Sequence, residues 1–423
     1  MVQLTANSLN EGGFMPIRFL RVFQVLIIAV LLAGCSGSSS NALAPAEKLQ
    51  ASIDANWTQY KQDHQIPDNV IRGAGMAVYL ETPTGNYYAS SGMDSAVNQN
   101  TRFRIASNTK TFTAAAIMLL HQQGKLDIDH TITSLIPGKE IPYVPDTAEW
   151  AIWKKADITI RKLLAHTAGV YDVDNNDTLS NPCASQLYTG KSYPLCVLAT
   201  APTHQFTPGE LVGVDAATQQ YFFNPVDVNY HYSDTGYSML AEIIERVSGK
   251  SYDQFLMQNL INPNGLTYTS VTMLGWDQTI PPPFNPGYVY ENGVMTDNTA
   301  DNMSLHIGEG NIISTPADIA RWIRRLIRGE AGINSTWADL MKTPTAGALS
   351  QGNNYGLGIS SMSGFGYGHT GANQGYLSLM AYDPAADVTI IVYFNIWDNA
   401  NLLTNQSHLM VKAGRDARAA VRY

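Results

Sequence analysis

Ser107 and Lys110, in the stretch FRIASNTKTF (103–112), stand three residues apart just ahead of the apolar run AAAIMLL. On a helix, positions i and i+3 share a face with Cβ atoms about 5–6 Å apart, so an amine there reaches a hydroxyl at the first turn. A serine hydroxyl is a weak nucleophile until a neighbouring base takes its proton. Lys110 could be that base only as a neutral amine. That requires a pKa ~3 units below its reference value of about 10.4, which burial could supply. The plainer alternative is a helix N-cap serine followed by a solvated lysine. No other Ser-x-x-Lys occurs in the chain.

Two further short motifs follow in order: Tyr232-Ser233-Asp234, just before a helical pattern, and His369-Thr370-Gly371, inside a strand pattern. Hydrophobic periodicity gives the elements that must carry them. A helix is expected over 46–64, with Leu49, Ile53, Trp57 and Tyr60 on one face, then a hairpin from 73–80 and 86–92. Residues 156–170 read as a short helix closed by Gly169. Residues 233–249 read as a helix with Leu240, Ile243, Ile244 and Val247 on one face and Gly249 as its C-cap. A fourth helix spans 314–329, with Pro316 in its first turn. Strands are expected at 355–362, 367–371, 375–383 and 387–397, and a helix over 402–419 ends the chain. The fold class is therefore α+β: an antiparallel sheet built from both chain termini, flanked by helices, with a mostly helical lobe inserted at about 112–330.

The ordered set Ser107-x-x-Lys110, Tyr232-x-Asp234 and His369-Thr370-Gly371 resembles that of the β-lactamase-like serine hydrolases. These include class C β-lactamases, D-alanyl-D-alanine carboxypeptidases, penicillin-binding proteins and related esterases. The likeness runs from about residue 46 to the end and takes in LLAHTAG (163–169), FTPGE (206–210) and GYSMLAEIIERVSGKSY (236–252). It implies a β-lactamase/transpeptidase-like fold and hydrolysis through an acyl-enzyme on Ser107, with Lys110 as base and Tyr232 shuttling the proton. The N–H groups of Ser107 and Ala372 would form the oxyanion hole, typically worth about 10²–10³ in rate per donor. Thr370 and Gln374 would hydrogen-bond a substrate carboxylate or carbonyl.

Two departures from the family pattern matter. Most relatives carry Asn where this chain has Asp234, and a carboxylate beside Lys110 raises the lysine's pKa, against its role as a neutral base. A protonated His369 would offset that charge; alternatively, Asp234 simply caps the following helix. The second departure is an insertion at 212–229, rich in aromatics, that reads either as a pocket wall or lid or as ordinary packing. His166, at a helix-end turn, reads as a structural hydrogen-bonding residue. Between Lys342 and Lys412 there is no Lys or Arg, and Arg is the natural partner of a substrate carboxylate. The reading is a D-alanyl-D-alanine carboxypeptidase-like hydrolase of a small peptide, ester or cell-wall fragment. Its alternatives are an esterase or β-lactamase of the same family, or a non-catalytic lipoprotein that binds peptidoglycan fragments.

The chain has 423 residues and a net charge of −9, an acidic balance that argues against a nucleic-acid partner. The apolar run at 22–36, behind Arg18 and Arg21, reads as a secretory signal, with Met15 as an alternative start. It ends in Leu32-Ala33-Gly34-Cys35, which resembles a bacterial lipoprotein cleavage site; an ordinary signal peptide cut nearby is the alternative. The expected organisation is a signal peptide at 1–34, a lipidated tether at 35–45 beginning with Cys35, and a hydrolase domain at 46–423. That places a monomer on the bacterial cell envelope, anchored to the membrane by lipid and facing the periplasm or exterior. Cys183 and Cys196 read as a disulfide stapling a loop, with two buried thiols as the alternative. No metal-binding spacing and no cofactor motif is present.

Overall fold

The computed structural model describes residues 43–175, 192–399 and 402–423. The expected signal and the tether through residue 42, including Cys35, lie outside that set, as does Cys183. The chain opens with α1 (Pro45–Asp63), which buries Leu49, Ile53, Trp57 and Tyr60 as its periodicity requires. The hairpin β1 (Met76–Thr82) and β2 (Gly85–Ser91) follows. Next come β3 (Phe103–Arg104), a 3₁₀ turn at Ala106–Asn108, α2 (Thr109–Gln122) and α3 (Ile160–Leu164). The helical lobe continues with α4 (Ser192–Thr200), α5 (Pro208–Thr218), α6 (Asp234–Ser248) and α7 (Tyr252–Leu256). After β4 (Ser270–Val271), β5 (Tyr288–Glu291), β6 (Val294–Asp297) and β7 (Ile312–Ser314) come α8 (Pro316–Ile327), α9 (Ser335–Lys342) and α10 (Ala346–Ser350). The chain returns through β8 (Ser360–Met362), β9 (Gly366–Asn373), β10 (Tyr376–Asp383), β11 (Val388–Phe394) and β12 (Ile396–Asp398) to α11 (Leu402–Ala420).

Six strands form the main sheet in the order β2-β1-β11-β10-β9-β8, all antiparallel. β1 from the start of the chain pairs with β11 from its end, Met76 opposite Phe394. Successive side chains of a strand point to opposite faces, and both faces are covered. Met76, Val78, Leu80, Val392 and Phe394 pack with α1 and α11, while Ala77, Tyr79, Ile391 and Tyr393 join the core shared with α2, α6 and α8. The sheet thus divides two apolar layers, and α2, the helix that follows Ser107, runs through the larger one.

Local readings differ from the sequence at four places. The helix expected at 156–170 stops at Leu164; Gly169 adopts a φ of +71° and backs onto the Phe223 carbonyl, where any Cβ would clash. The strand expected at 355–362 is reduced to β8, joined by a single bridge from Tyr355 to Ser360. The lobe also holds strands the periodicity did not reveal, with β5 parallel to β12 and β3 paired with β7. Cys196 sits in helix α4 rather than in a loop, and it is disulfide-bonded. Among the described residues no helix is long and apolar enough to cross a membrane.

Candidate active site

Ser107 sits on the 3₁₀ turn that leads into α2, buried, with Ala106 before it in the left-handed region at φ +49°. A non-glycine residue there costs roughly 1–2 kcal/mol, so the turn is held by its surroundings. Asn108 anchors it by donating to the Ile105 carbonyl (3.0 Å) and to Ser378 Oγ on β10 (2.7 Å). The cap position of α2 is Asn108 and that of the turn is Ile105, neither with a side chain accepting a helix N–H, so Ser107 is not the N-cap considered from sequence. Lys110, one turn on, is fully buried and not solvated. Its ammonium donates to Ser107 Oγ at 3.0 Å and to the Glu309 carbonyl and Oε2, both at 3.1 Å, and it pairs with Asp234 Oδ1 at 2.5 Å.

Those partners decide its protonation. Burial alone pushes the Lys110 pKa down, but the charges of Asp234, Tyr232 and Glu309 outweigh it and hold the amine well above its ordinary value. The resting lysine is therefore an ammonium, which corrects the expectation of a free base depressed by burial. Asp234 carries the complementary shift: burial and the nearby Glu309 raise its carboxyl to about 6 despite Lys110. Asp234 does not cap α6. Ser233 does, accepting from the Gly236 N–H at 3.2 Å, which leaves the Asp234 carboxylate to Lys110 and to Asn175 Nδ2 at 2.5 Å.

Tyr232 lies over the same group, its ring centroid 4.9 Å from Lys110 Nζ, and the charges of Lys110 and Asp234 act on its hydroxyl. Burial keeps its pKa well above that of an ordinary phenol, against the pull of Lys110; the group is a neutral O–H. His166 supports it from behind at 4.1 Å between ring centroids. The His166 Nδ1 accepts the Ser233 N–H (3.1 Å) and its carbonyl accepts the His231 N–H (2.9 Å), so it fixes the strand of chain that carries Tyr232. The insertion packs on the same segment through the Phe222–His231 ring contact, and on earlier parts of the lobe through Tyr171–Phe222 and Trp153–Tyr221.

His369 is buried, with Nδ1 at 2.5 Å from the Thr370 carbonyl and Nε2 at 3.0 Å from the Tyr355 hydroxyl. A carbonyl only accepts, so Nδ1 carries the hydrogen and Nε2 accepts from Tyr355. Burial and the Lys110 charge drive its pKa down to about 3. His369 is neutral at physiological pH and cannot offset Asp234, a correction to its expected part. Thr370 and Ala372 are half-buried on β9, and Gln374 is exposed in the turn after it. Gly371, between them, has no room for a side chain: a Cβ would lie 2.3 Å from the Ile105 carbonyl and 2.9 Å from Asn108 Nδ2. β9 is thereby pressed against the turn that carries Ser107. β8 pairs with β9 only as far as Gly368, so His369 to Asn373 have β10 as their one strand partner among the described residues.

Sequence reasoning missed Glu309 and His306. Glu309 Oε1 lies 2.5 Å from His306 Nδ1 while its Oε2 meets Lys110. Burial opposes both charges, but Lys110 and His306 hold the Glu309 carboxyl at about 2, and Glu309 holds the imidazole at about 10. Asp174, His306 and Glu309 place potential metal ligand atoms within 4.8 Å of one another. Both Glu309 oxygens are already engaged and an ammonium lies 3.1 Å away, which opposes a cation there.

A family model described as Beta-lactamase matches residues 54–414. The chain belongs to the beta-lactamase family. Among its relatives, penicillin-binding protein 4 of Amycolatopsis lactamdurans is 25% identical over 367 residues, covering 81% of this chain and 85% of that protein. The probable hydrolase clz13 of Cochliobolus lunatus is 26% identical over 350 residues, 71% of this chain; the match spans about half, 53%, of that longer protein. A D-stereospecific amidohydrolase from Streptomyces sp. superposes with a TM-score of 0.67 at 23% identity, over 87% of this chain and 98% of that one. The D-amino acid amidase from Ochrobactrum anthropi SV3 superposes at 0.66 and 22% identity, over 90% and 100%. These likenesses establish the fold of this beta-lactamase-family chain.

Proposed function

We propose that this protein is a serine hydrolase that cleaves an amide, peptide or ester bond through an acyl-enzyme on Ser107. The observation that carries the reading is Lys110 Nζ at 3.0 Å from Ser107 Oγ, with both side chains buried. Its partners hold Lys110 as an ammonium, so it must first give up a proton. Asp234, 2.5 Å away, is the acceptor in place, and the amine left behind takes the Ser107 proton as oxygen attacks the substrate carbonyl. Tyr232, a neutral O–H beside Lys110, is suited to protonate the leaving group and to be recharged from Lys110. The amide of Ala372, on the strand pressed against the Ser107 turn, is our second oxyanion donor with that of Ser107.

For the substrate, a D-alanyl-D-alanine carboxypeptidase needs a cation for the terminal carboxylate. His369 is neutral, no Lys or Arg lies in 343–411, and Arg104 is fully buried, with Nε and Nη2 donating to the Thr299 and Gln278 carbonyls and Nη1 also shut away from solvent. This favours a neutral amide or ester of a small peptide or amino acid, bound through Thr370 and Gln374. The carboxypeptidase reading is second, supported by the relationship to a penicillin-binding protein. A fluorophosphonate is expected to label a single tryptic peptide containing Ser107, and Ser107→Ala to abolish labelling. Labelling that survives the substitution removes the proposal.

We also infer an envelope lipoprotein anchored through Cys35. One acyl chain binds a membrane only marginally, so several would be needed. Cys35→Ser is expected to move the protein from the membrane to the soluble envelope fraction; unchanged partitioning counts against the anchor.

A further inference from the structure

The mechanism above uses Lys110, Asp234 and Tyr232 and leaves unexplained two buried charged groups beside them. Glu309 comes from the loop between the 3₁₀ turn at Met303–His306 and β7, and that loop is built for close approach. Gly308 has a φ of +87° and a Cβ there would lie 2.5 Å from the Tyr237 carbonyl, while Gly310 lies against His306 and Ala106. Between them Glu309 makes two contacts with Lys110, through its carbonyl and Oε2, and one with His306 through Oε1. An ammonium has three hydrogens. With Ser107 Oγ and the Glu309 carbonyl and Oε2 as its hydrogen-bond acceptors and Asp234 as a further charge partner, Lys110 Nζ is held on every side, and only one of its hydrogen bonds points at the nucleophile.

We propose that Glu309 and His306 are a positioning pair for Lys110: Glu309, with Asp234, locks the amine onto Ser107 Oγ, and His306 locks and neutralises Glu309. The inference rests on Ser107 and Lys110 acting as nucleophile and base. The pair also sets the electrostatic balance of the site. The Glu309 charge raises the proton affinity of both Lys110 and Asp234. It therefore shifts the acid limb of reactivity to higher pH whichever of those two groups the limb reports, and His306 partly cancels it. The other titratable groups around the pair are Asp174 and Asp301, whose charges act on His306, with Tyr232 and Tyr252 on the lysine side. None of these bridges Glu309 to Lys110. Removing Glu309 and removing His306 must thus move the limb in opposite directions, which a general loosening of the fold cannot do.

The test is the pH dependence of the fluorophosphonate labelling rate at Ser107, since the reagent itself does not titrate. Glu309→Gln keeps the volume and removes the charge; its acid limb is expected to move to lower pH by on the order of one unit. The maximal rate should fall about tenfold, because Lys110 loses its second anchor. His306→Gln is expected to move the limb to higher pH. Glu309→Asp keeps the charge with a shorter reach, so its limb should stay near the wild-type position while the rate falls. Thermal unfolding reports whether each variant is folded. Limbs that stay put, or that move the same way in Glu309→Gln and His306→Gln, overturn the inference while leaving the hydrolase reading intact. Failure of the wild-type protein to label at any pH overturns both.

Discussion

Lys110→Met is expected to lower kcat/KM by about 10²–10⁴-fold, the usual contribution of a positioned acid–base group, and to make stability depend on pH in a new way. In the native protein the Glu309 carboxyl is held at about 2. A group depressed in this way adds stability above its unfolded value, about 4.3, that is lost as pH falls toward 2. Asp234 has the opposite sign: raised to about 6, it favours the fold below its unfolded value, near 3.9, and that help is lost as pH rises through 6. Methionine removes the one ammonium that serves both. Asp234 then rises further, and at pH 8 two carboxylates share a buried site with only His306 to balance them. Breaking a buried ion pair from one side costs about 3–5 kcal/mol. Denaturant midpoints should therefore separate wild type and variant strongly at pH 8 and much less at pH 4.5, where Asp234 is protonated in both. An equal gap at the two pH values would mean that the lysine contributes packing rather than charge.

Gly371→Ala should nearly silence the protein without unfolding it. The new methyl would begin 2.3 Å from the Ile105 carbonyl, 2.8 Å from Ser378 Oγ and 2.9 Å from Asn108 Nδ2. The first of these is backbone and cannot swing away, so β9 and the Ser107 turn must part. Overpacking of this kind costs about 1–3 kcal/mol, which a domain of this size tolerates. The site does not tolerate it: a shift of about 1 Å at a reacting centre can cost about 10² in rate, and the Ala372 amide moves with Gly371. The expected result is a loss of Ser107 labelling by two orders of magnitude or more, with a near-native circular dichroism spectrum. Labelling within a factor of three of wild type would show that β9 takes no part in the site.

The elements around the site were legible because each rests on local physics. α6 is an example: an apolar stripe, a glycine at φ +70° closing it, and a serine one residue ahead of its first turn. The sheet was legible too, since apolar runs at both ends of the chain need each other for cover. The pairing of Ser107 with Lys110 needed only the pitch of a helix. Glu309 was not legible in the same way, because it reaches the lysine across 199 residues of sequence through a loop with no periodicity. A signal did exist. It is the only Lys, Arg, Asp or Glu between Asn302 and Ala317, it is flanked by glycines, and it follows a histidine by three residues. A carboxylate so isolated in a stretch of buried residues needs a cation nearby. The charge state of Lys110 and of His369 could not be read at all, since it depends on which groups the fold brings within a few ångströms.

The pairing of β1 with β11 joins residues roughly three hundred positions apart, and this governs when the protein can exist during its own synthesis. The Ser107 turn and α2 leave the ribosome early, yet the strand that seats them, β9, and the strand that closes the sheet, β11, come in the last sixty or so residues. Until then β1 and β2 form a two-stranded ribbon with an open edge and apolar faces, which is marginal in water and prone to wrong pairing. Contacts this distant in sequence also form slowly. A nascent chain of this protein is thus obliged to wait, unfolded or chaperoned, until its final strands emerge. A truncation from that end that removes β11 takes out the strand between β1 and β10, and should unfold the sheet before it reaches β9.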